Sequence, residues 1–239
     1  MQRYFVNKEN DKFILSNSDL HHIKDVMRIK NDGQIICVYN NQSYLCSINY
    51  FDNAYQINVI EEITKDVELN KKVFLYQAVI KNDKFDLVIQ KATELGVTDI
   101  IPTIFSRSVV KVDETKKDNK LNRYEKIVKE ACEQSHRLVL PNIHNYQKVK
   151  SIVLDENTLG LIAYENNGDY ASFANALKDI EKYQNIAIVI GPEGGFSNDE
   201  VDYLVKQGFK NISLGKRILR SETASMYALS VIAFYLESR

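Results

Sequence analysis

Apolar and polar positions follow two different rhythms along this chain. Residues 34–39 and 42–50 are rich in Ile, Val, Tyr and Cys and flank Asn40-Asn41, a pair suited to a tight hairpin turn. Residues 54–60 alternate, which predicts a further strand with Tyr55, Ile57 and Val59 on one face. Between the first strands, residues 18–27 predict a short helix: Leu20, Ile23, Val26 and Met27 have helical spacing and Ser18 can cap the N-terminus. Many short strands and one helix within about 70 residues predict a small β-barrel. Residues 61–72 are polar and charged, which places a boundary near residue 70 and gives domains 1–70 and 71–239.

Beyond the boundary the rhythm changes. Residues 73–79, 99–104, 159–163, 186–190 and 211–214 are apolar runs without alternation, predicting strands covered on both faces. Residues 83–95 carry Phe85, Val88, Ile89, Ala92 and Leu95 on one helical face, with Gly96 as a stop. Residues 121–134, 201–207 and 222–236 also read as helices. Strands alternating with helices predict an α/β domain with a mainly parallel sheet.

Composition narrows the function classes. In 239 residues, 31 Lys+Arg against 32 Asp+Glu leave a net charge of -1. Such balance exerts no global pull on nucleic acid, so any RNA contact needs a local patch. One candidate is residues 105–137, with 9 basic and 6 acidic residues; a solvated helix face accounts for it equally well. The 3 cysteines, Cys37, Cys46 and Cys132, have no metal-ligand spacing, and the histidines form no ligand set, so no metal is expected. Neither a signal peptide nor a membrane-spanning run is visible, so the expected location is cytoplasmic.

Two segments can carry chemistry. The first, residues 190–196 (IGPEGGF), links the strand 186–190 to Ser197-Asn198-Asp199-Glu200, which has the form of a capping box. A glycine-rich turn at the carboxyl end of a strand lets a ligand approach the backbone. The pattern is neither a phosphate loop nor a dinucleotide fingerprint, and Glu193 disfavours phosphate. A tight turn without ligand remains an alternative. The second segment, residues 214–224 (LGKRILRSETA), puts Lys216, Arg217 and Arg220 before Ser221, Glu222 and Thr223 at a helix N-terminus. A basic loop with a cap would look the same. Cys132 and His136 stand four apart on a helix, a poor case for a nucleophile. Arg3-Tyr4-Phe5, His21-His22 and Arg28 interleave basic and aromatic groups, as an RNA-contacting surface does.

Taken together, IGPEGGFS and LGKRILRSETA, in that order, resemble the signature of the SPOUT (trefoil-knot) methyltransferases. KATELGV, EACEQSHR and the Arg3-x-Phe5 start are similar to the bacterial family that methylates N3 of one uridine in 16S ribosomal RNA (RsmE). The resemblance implies a PUA-like N-terminal β-barrel that docks on RNA, a knotted C-terminal domain, a homodimer, and the small ribosomal subunit as substrate. S-adenosylmethionine is the implied cofactor. Its implied contacts are Gly191, Glu193, Gly194 and Gly195 in the first loop, Leu214, Gly215, Ile218 and Leu219 in the second, and Thr223 and Ala224 on the helix. Arg220 and Glu222 fall at the catalytic positions. For RNA, charge and resemblance together select Arg3, His22, Arg28, Arg107, Arg123 and Arg137. Two positions depart from the family pattern: Ser221 stands where threonine is usual, and Tyr124 where tryptophan is common.

Rival readings are a trefoil-knot ribose 2′-O-methyltransferase and a noncatalytic ribosome-assembly factor. A nucleotide-dependent oxidoreductase lacks its GxGxxG motif.

Overall fold

The computed structural model describes residues 1–52, 54–164 and 169–238. By contacts the chain divides into two units, Met1–Glu68 with Cys132–Leu140, and Leu69–Ala131 with Pro141–Arg239. The N-terminal unit thus takes in a segment far along the chain.

In the N-terminal unit, β1 (Arg3–Phe5), β4 (Gly33–Tyr39), β5 (Gln42–Phe51) and β6 (Ala54–Ile63) form one sheet in that order. A hairpin of β2 (Asn7–Glu9) and β3 (Lys12–Ile14) stands beside it. The β4–β5 turn is the expected one: Asn40 and Asn41 have φ of 48° and 59°, the left-handed pair that two-residue hairpins require. One core holds Tyr4, Phe13, Ile23, Ile35, Cys37, Cys46 and Ile48. The face expected of β6 holds only in part. Ile57 is buried, but Val59 is 53% exposed. The register slips between Leu45 and Cys46, so the pairing steps from Val59 to Glu61 and this edge strand loses its simple alternation there.

The short helix differs from expectation as well. Helix α1 (Asn17–His21) is capped by Ser16, not Ser18: the Ser16 hydroxyl accepts from Asp19 N at 3.1 Å and donates to the Asp19 carboxylate at 2.6 Å. Asp19 at the third helical position decides the cap, because its carboxylate answers the serine. The helix then widens into a π-turn, His22–Val26, which turns Val26 and Met27 out to solvent.

In the C-terminal unit, β7 (Lys72–Ala78), β8 (Asp99–Ile104), β10 (Gln147–Lys148), β11 (Thr158–Ala163), β12 (Asn185–Ile190) and β13 (Lys210–Ile212) make a sheet of order β10-β8-β7-β12-β11-β13; β9 (Asn142–Ile143) also pairs with β8. All its described pairings are parallel. Ile186, Ala187, Ile188, Val189 and Ile190 of β12 are all buried, as a strand covered on both faces must be. Helices α2 (Asn82–Glu94), α3 (Lys117–Ser135), α4 (Ser172–Leu177), α5 (Asn198–Lys206) and α6 (Ser221–Glu237) complete the element order. The last residues of α3 count with the N-terminal unit. Gly96 ends α2 with φ 87°, as its position predicts.

The sequence pattern passed over β9, β10 and α4, elements of two to six residues that are too short for a period to register. Helix α3 starts four residues earlier than its apolar spacing suggests, and β13 stops two residues earlier. The chain leaves β7 toward β8 but leaves β12 toward β13, so its direction reverses between these neighbouring strands, the kind of point where open α/β sheets bind ligands. No helix among the described residues is long and apolar enough to cross a membrane.

Candidate functional site

At the carboxyl ends of β11, β12 and β13 lies a cleft of about 450 Å³. That volume falls within the roughly 300–1,000 Å³ of small-molecule sites. Its two long walls are the segments singled out by sequence. Gly191, Glu193 and Gly195 come from the first loop; Leu214, Gly215, Ile218, Leu219 and Arg220 come from the second; Ala224 closes the floor from α6.

Local chemistry explains why these loops take their shape. A side chain on Gly191 would stand 2.7 Å from the Phe196 ring, which itself packs edge-on against Phe105 and Tyr164 at centroid distances of 5.4 and 6.0 Å. Gly195 and Gly215 have φ of 68° and 107°, and the space beside each Cα is open. At these two positions the backbone itself is the surface a ligand meets. The loop ends where Ser197 and Glu200 form the expected capping box of α5. Glu200 does a second job: its Oε1 accepts from Ser106 N at 2.7 Å, tying the segment after β8 to the same corner. On the other wall, Ser213 N donates to Ser172 Oγ at 2.9 Å and Gly215 N to Ser213 Oγ at 3.2 Å.

Three expected cofactor or catalytic residues lie off the wall. Gly194 faces Arg107 instead, and a Cβ there would meet the Arg107 carbonyl at 2.8 Å. Thr223 is exposed on the outer side of α6. Glu222 points to α2, where Lys84 Nζ lies 3.0 Å from its Oε1, and its Oε2 is buried with no hydrogen-bond partner among the described residues. Burial raises the Glu222 pKa, but its own backbone N–H, the Lys84 ammonium and Arg220 outweigh it and hold the carboxyl below its ordinary range.

A family model for an RNA methyltransferase domain matches residues 67–233. Ribosomal RNA small subunit methyltransferase E of Bacillus subtilis (strain 168) is 36% identical over 99% of this chain and 98% of its own. The protein of the same name from Mesomycoplasma hyopneumoniae (strain 232) is 39% identical over 96% of this chain and 98% of its own. The chain belongs to the ribosomal RNA small subunit methyltransferase E family. A solved member from Neisseria gonorrhoeae, bound to S-adenosyl methionine, matches with a TM-score of 0.79 and 26% identity over 97% of this chain and 96% of that one.

The residues expected to meet RNA fall in both units. Arg107 sits on the cleft wall and donates from Nη1 to the Phe196 carbonyl at 3.0 Å. Arg123 is exposed and pairs with Asp86 of α2. Arg28 is exposed in a left-handed backbone conformation, and His22 Nδ1 lies 2.9 Å from the Tyr4 hydroxyl. Arg3 is half-buried, with Nε and Nη1 lacking a hydrogen-bond partner among the described residues; burial lowers its pKa. Arg137 does not fit a phosphate-contacting role. It is 3% exposed, and its Nε and Nη2 donate to Glu68 at 3.0 and 2.6 Å. Its charge looked like part of a surface run because charge counting cannot see burial.

Cys132 fares no better as a nucleophile. Burial pushes its thiol up to about 12, so it stays protonated at neutral pH. Among the described residues no group of three or more His, Cys, Asp or Glu is placed to hold a metal ion. Tyr164 lines the cleft, Lys84 pairs with Glu222 and Ser172 accepts from Ser213 N, and sequence singled out none of the three. Lys84 lies on a helix read only for its apolar face, Ser172 on α4, which the sequence pattern passed over, and no local pattern marks either. A fourth such residue, Gln77, did leave a trace, as the polar member of an apolar run.

Proposed function

We propose that this protein methylates N3 of a uridine in 16S ribosomal RNA of the small subunit, with S-adenosylmethionine held in the cleft. The observation that carries the proposal is the convergence of two glycine-bearing loops on one cleft with Arg220 at its wall. The chemistry of the walls suits the cofactor. Leu214, Leu219 and Ala224 offer apolar surface for an adenine, the open backbone at Gly195 and Gly215 suits its polar edges, and the Glu193 carboxylate suits a cation. When bound, S-adenosylmethionine supplies an electrophilic methyl group on a sulfonium.

What the chain itself must do is handle the N3 proton. Uridine N3–H is neutral near pH 7, and the proton must leave as the N–C bond forms. Arg220 is exposed at the cleft wall, where its guanidinium can stabilise the uridine anion. Glu222, held ionised by Lys84 and with a lowered pKa, is a weak base. Its fitting role is to pair with Lys84 and so tie the start of α6 to α2, rather than to take the proton.

The N-terminal unit, with Arg3, His22 and Arg28, is assigned to RNA docking as a PUA-like domain. The path of α6 belongs to the same proposal. Its return from the edge strand β13 to pack on α2 and β12 is the support for a knotted methyltransferase domain. A second copy of the chain is the proposed partner, with Leu87 of α2 and Tyr227 and Phe234 of α6 left exposed to meet it.

The deciding experiment incubates the protein with labelled S-adenosylmethionine and small ribosomal subunits lacking modifications, then digests the RNA to nucleosides. Label in 3-methyluridine supports the proposal. Label in a 2′-O-methylated nucleoside, or cofactor binding without transfer, overturns it.

A further inference from the structure

Strand β7 carries one polar side chain that is completely buried. Gln77 is 0% exposed between apolar neighbours, and an amide in such a place must be bonded at both ends. Its Nε2 donates to Ser221 Oγ at 3.0 Å and to the Ala78 carbonyl at 3.1 Å, and its Oε1 accepts from Ser225 Oγ. Ser221 Oγ then donates to the Gly191 carbonyl at 2.7 Å.

Counting protons sets the direction. A serine hydroxyl has a single proton, and that of Ser221 goes to Gly191. Ser221 must therefore accept from Gln77, which turns the amide nitrogen toward Ser221 and leaves its oxygen for Ser225. The relay runs Ser225 to Gln77 to Ser221 to Gly191, with the single Ser225 proton shared between Gln77 Oε1 and the Ser221 carbonyl, 2.9 Å away. Gln77 and Ser221 are 144 residues apart in sequence. Gly191 opens the first cleft loop, and Ser221 follows Arg220 at the end of the second. One amide on a central strand thus holds both loops through one hydroxyl.

We infer that Gln77 is a positioning residue of the methyl-transfer site: it touches neither cofactor nor base, and it sets the two cleft loops relative to each other. The inference rests on the reading of the cleft as the cofactor site. Such control matters because a displacement of about 1 Å at a reacting centre can cost about a hundredfold in rate.

The test uses Q77M, which keeps length and volume while removing both hydrogen-bonding ends, together with S221A and the double variant. Each is read by calorimetric titration with S-adenosylmethionine and by hydrogen exchange of peptides covering 190–196 and 213–221. Of the three hydrogen bonds that Q77M removes, the one to Ser221 reaches the loops, and its loss predicts cofactor binding about tenfold weaker, with faster exchange in both loops. Because Gln77 and Ser221 act in one chain, the double variant is expected to be no worse than S221A alone, and S221T to recover affinity relative to S221A. Wild-type affinity and unchanged exchange in Q77M overturn the inference, as does full additivity in the double variant. Should Q77M fail to fold, S221A and S225A, each removing one oxygen, take its place: weaker binding with faster exchange in both loops supports the inference, and wild-type behaviour in both overturns it. The cleft reading is tested apart from this. In the wild-type protein S-adenosylmethionine must protect both peptides from exchange, and absence of protection overturns that reading whatever Q77M does.

Discussion

Arg220 forms the N-cap position of α6 without spending its side chain on the cap. Its guanidinium is therefore available at the cleft, while its backbone carbonyl serves the helix by accepting from Ala224 N at 2.8 Å. R220A is expected to lower the single-turnover methylation rate by about 10²–10³, the scale seen when one preorganised donor is removed from a developing anion. A wild-type rate on unmodified small subunits would sink the role. Glu222 makes a prediction of its own. Its folded pKa is depressed, so the stability it contributes is present above its unfolded value of 4.5 and is lost as pH falls through the folded value. Denaturant unfolding of wild type and E222Q should therefore differ most near pH 7, and the difference should shrink on acidification below about 4.5. A difference that grows toward acid would contradict the Lys84 pairing.

At the scale of elements, the capping box of α5 joins local sequence to the site. Ser197 caps by accepting from Glu200 N, and Glu200 returns Oε2 to Ser197 N at 2.8 Å while its Oε1 reaches Ser106. S197A should cost about 1 kcal/mol in denaturant unfolding, the usual cost of a lost cap. E200A should cost more, because it also frees the 105–108 segment. Thermal and chemical melts that rank the two equally would show that the Ser106 bond carries nothing. This box was legible in the sequence because a cap is a local pattern of four residues. The Asn40-Asn41 turn was legible for the same reason. The Ser106 link was not, since Ser106 and Glu200 lie 94 residues apart and only the sheet brings them together.

Whole-molecule organisation adds a constraint that a single cut in the chain misses. The N-terminal unit includes Cys132–Leu140, whose Arg137, Leu138 and Val139 bind Glu68 through side-chain and backbone donors. A fragment of residues 1–70 lacks that segment and leaves Glu68 without those bonds. It is expected to unfold with a broad, weakly cooperative thermal transition by circular dichroism, and a fragment supplemented with a 132–140 peptide to sharpen it. A fully cooperative melt of 1–70 alone would show that the returning segment contributes nothing to this unit's folding.

Sequence by itself determined the parts governed by near neighbours. Apolar runs without alternation specified strands buried on both faces, glycine at the end of α2 specified a stop, and the two loop motifs specified a glycine-rich turn after a strand and a polar helix start. It also carried the family, because those motifs stand in a set order. Tertiary structure alone decided which groups meet. Burial turned Arg137 from a surface cation into an internal ion pair, α2 brought Lys84 to Glu222, and the central strand put Gln77 between two distant loops. The physical reason is the same each time: a side chain's charge, donors and volume are local properties, but its desolvation and its partners depend on distant chain segments that only packing brings within hydrogen-bond distance.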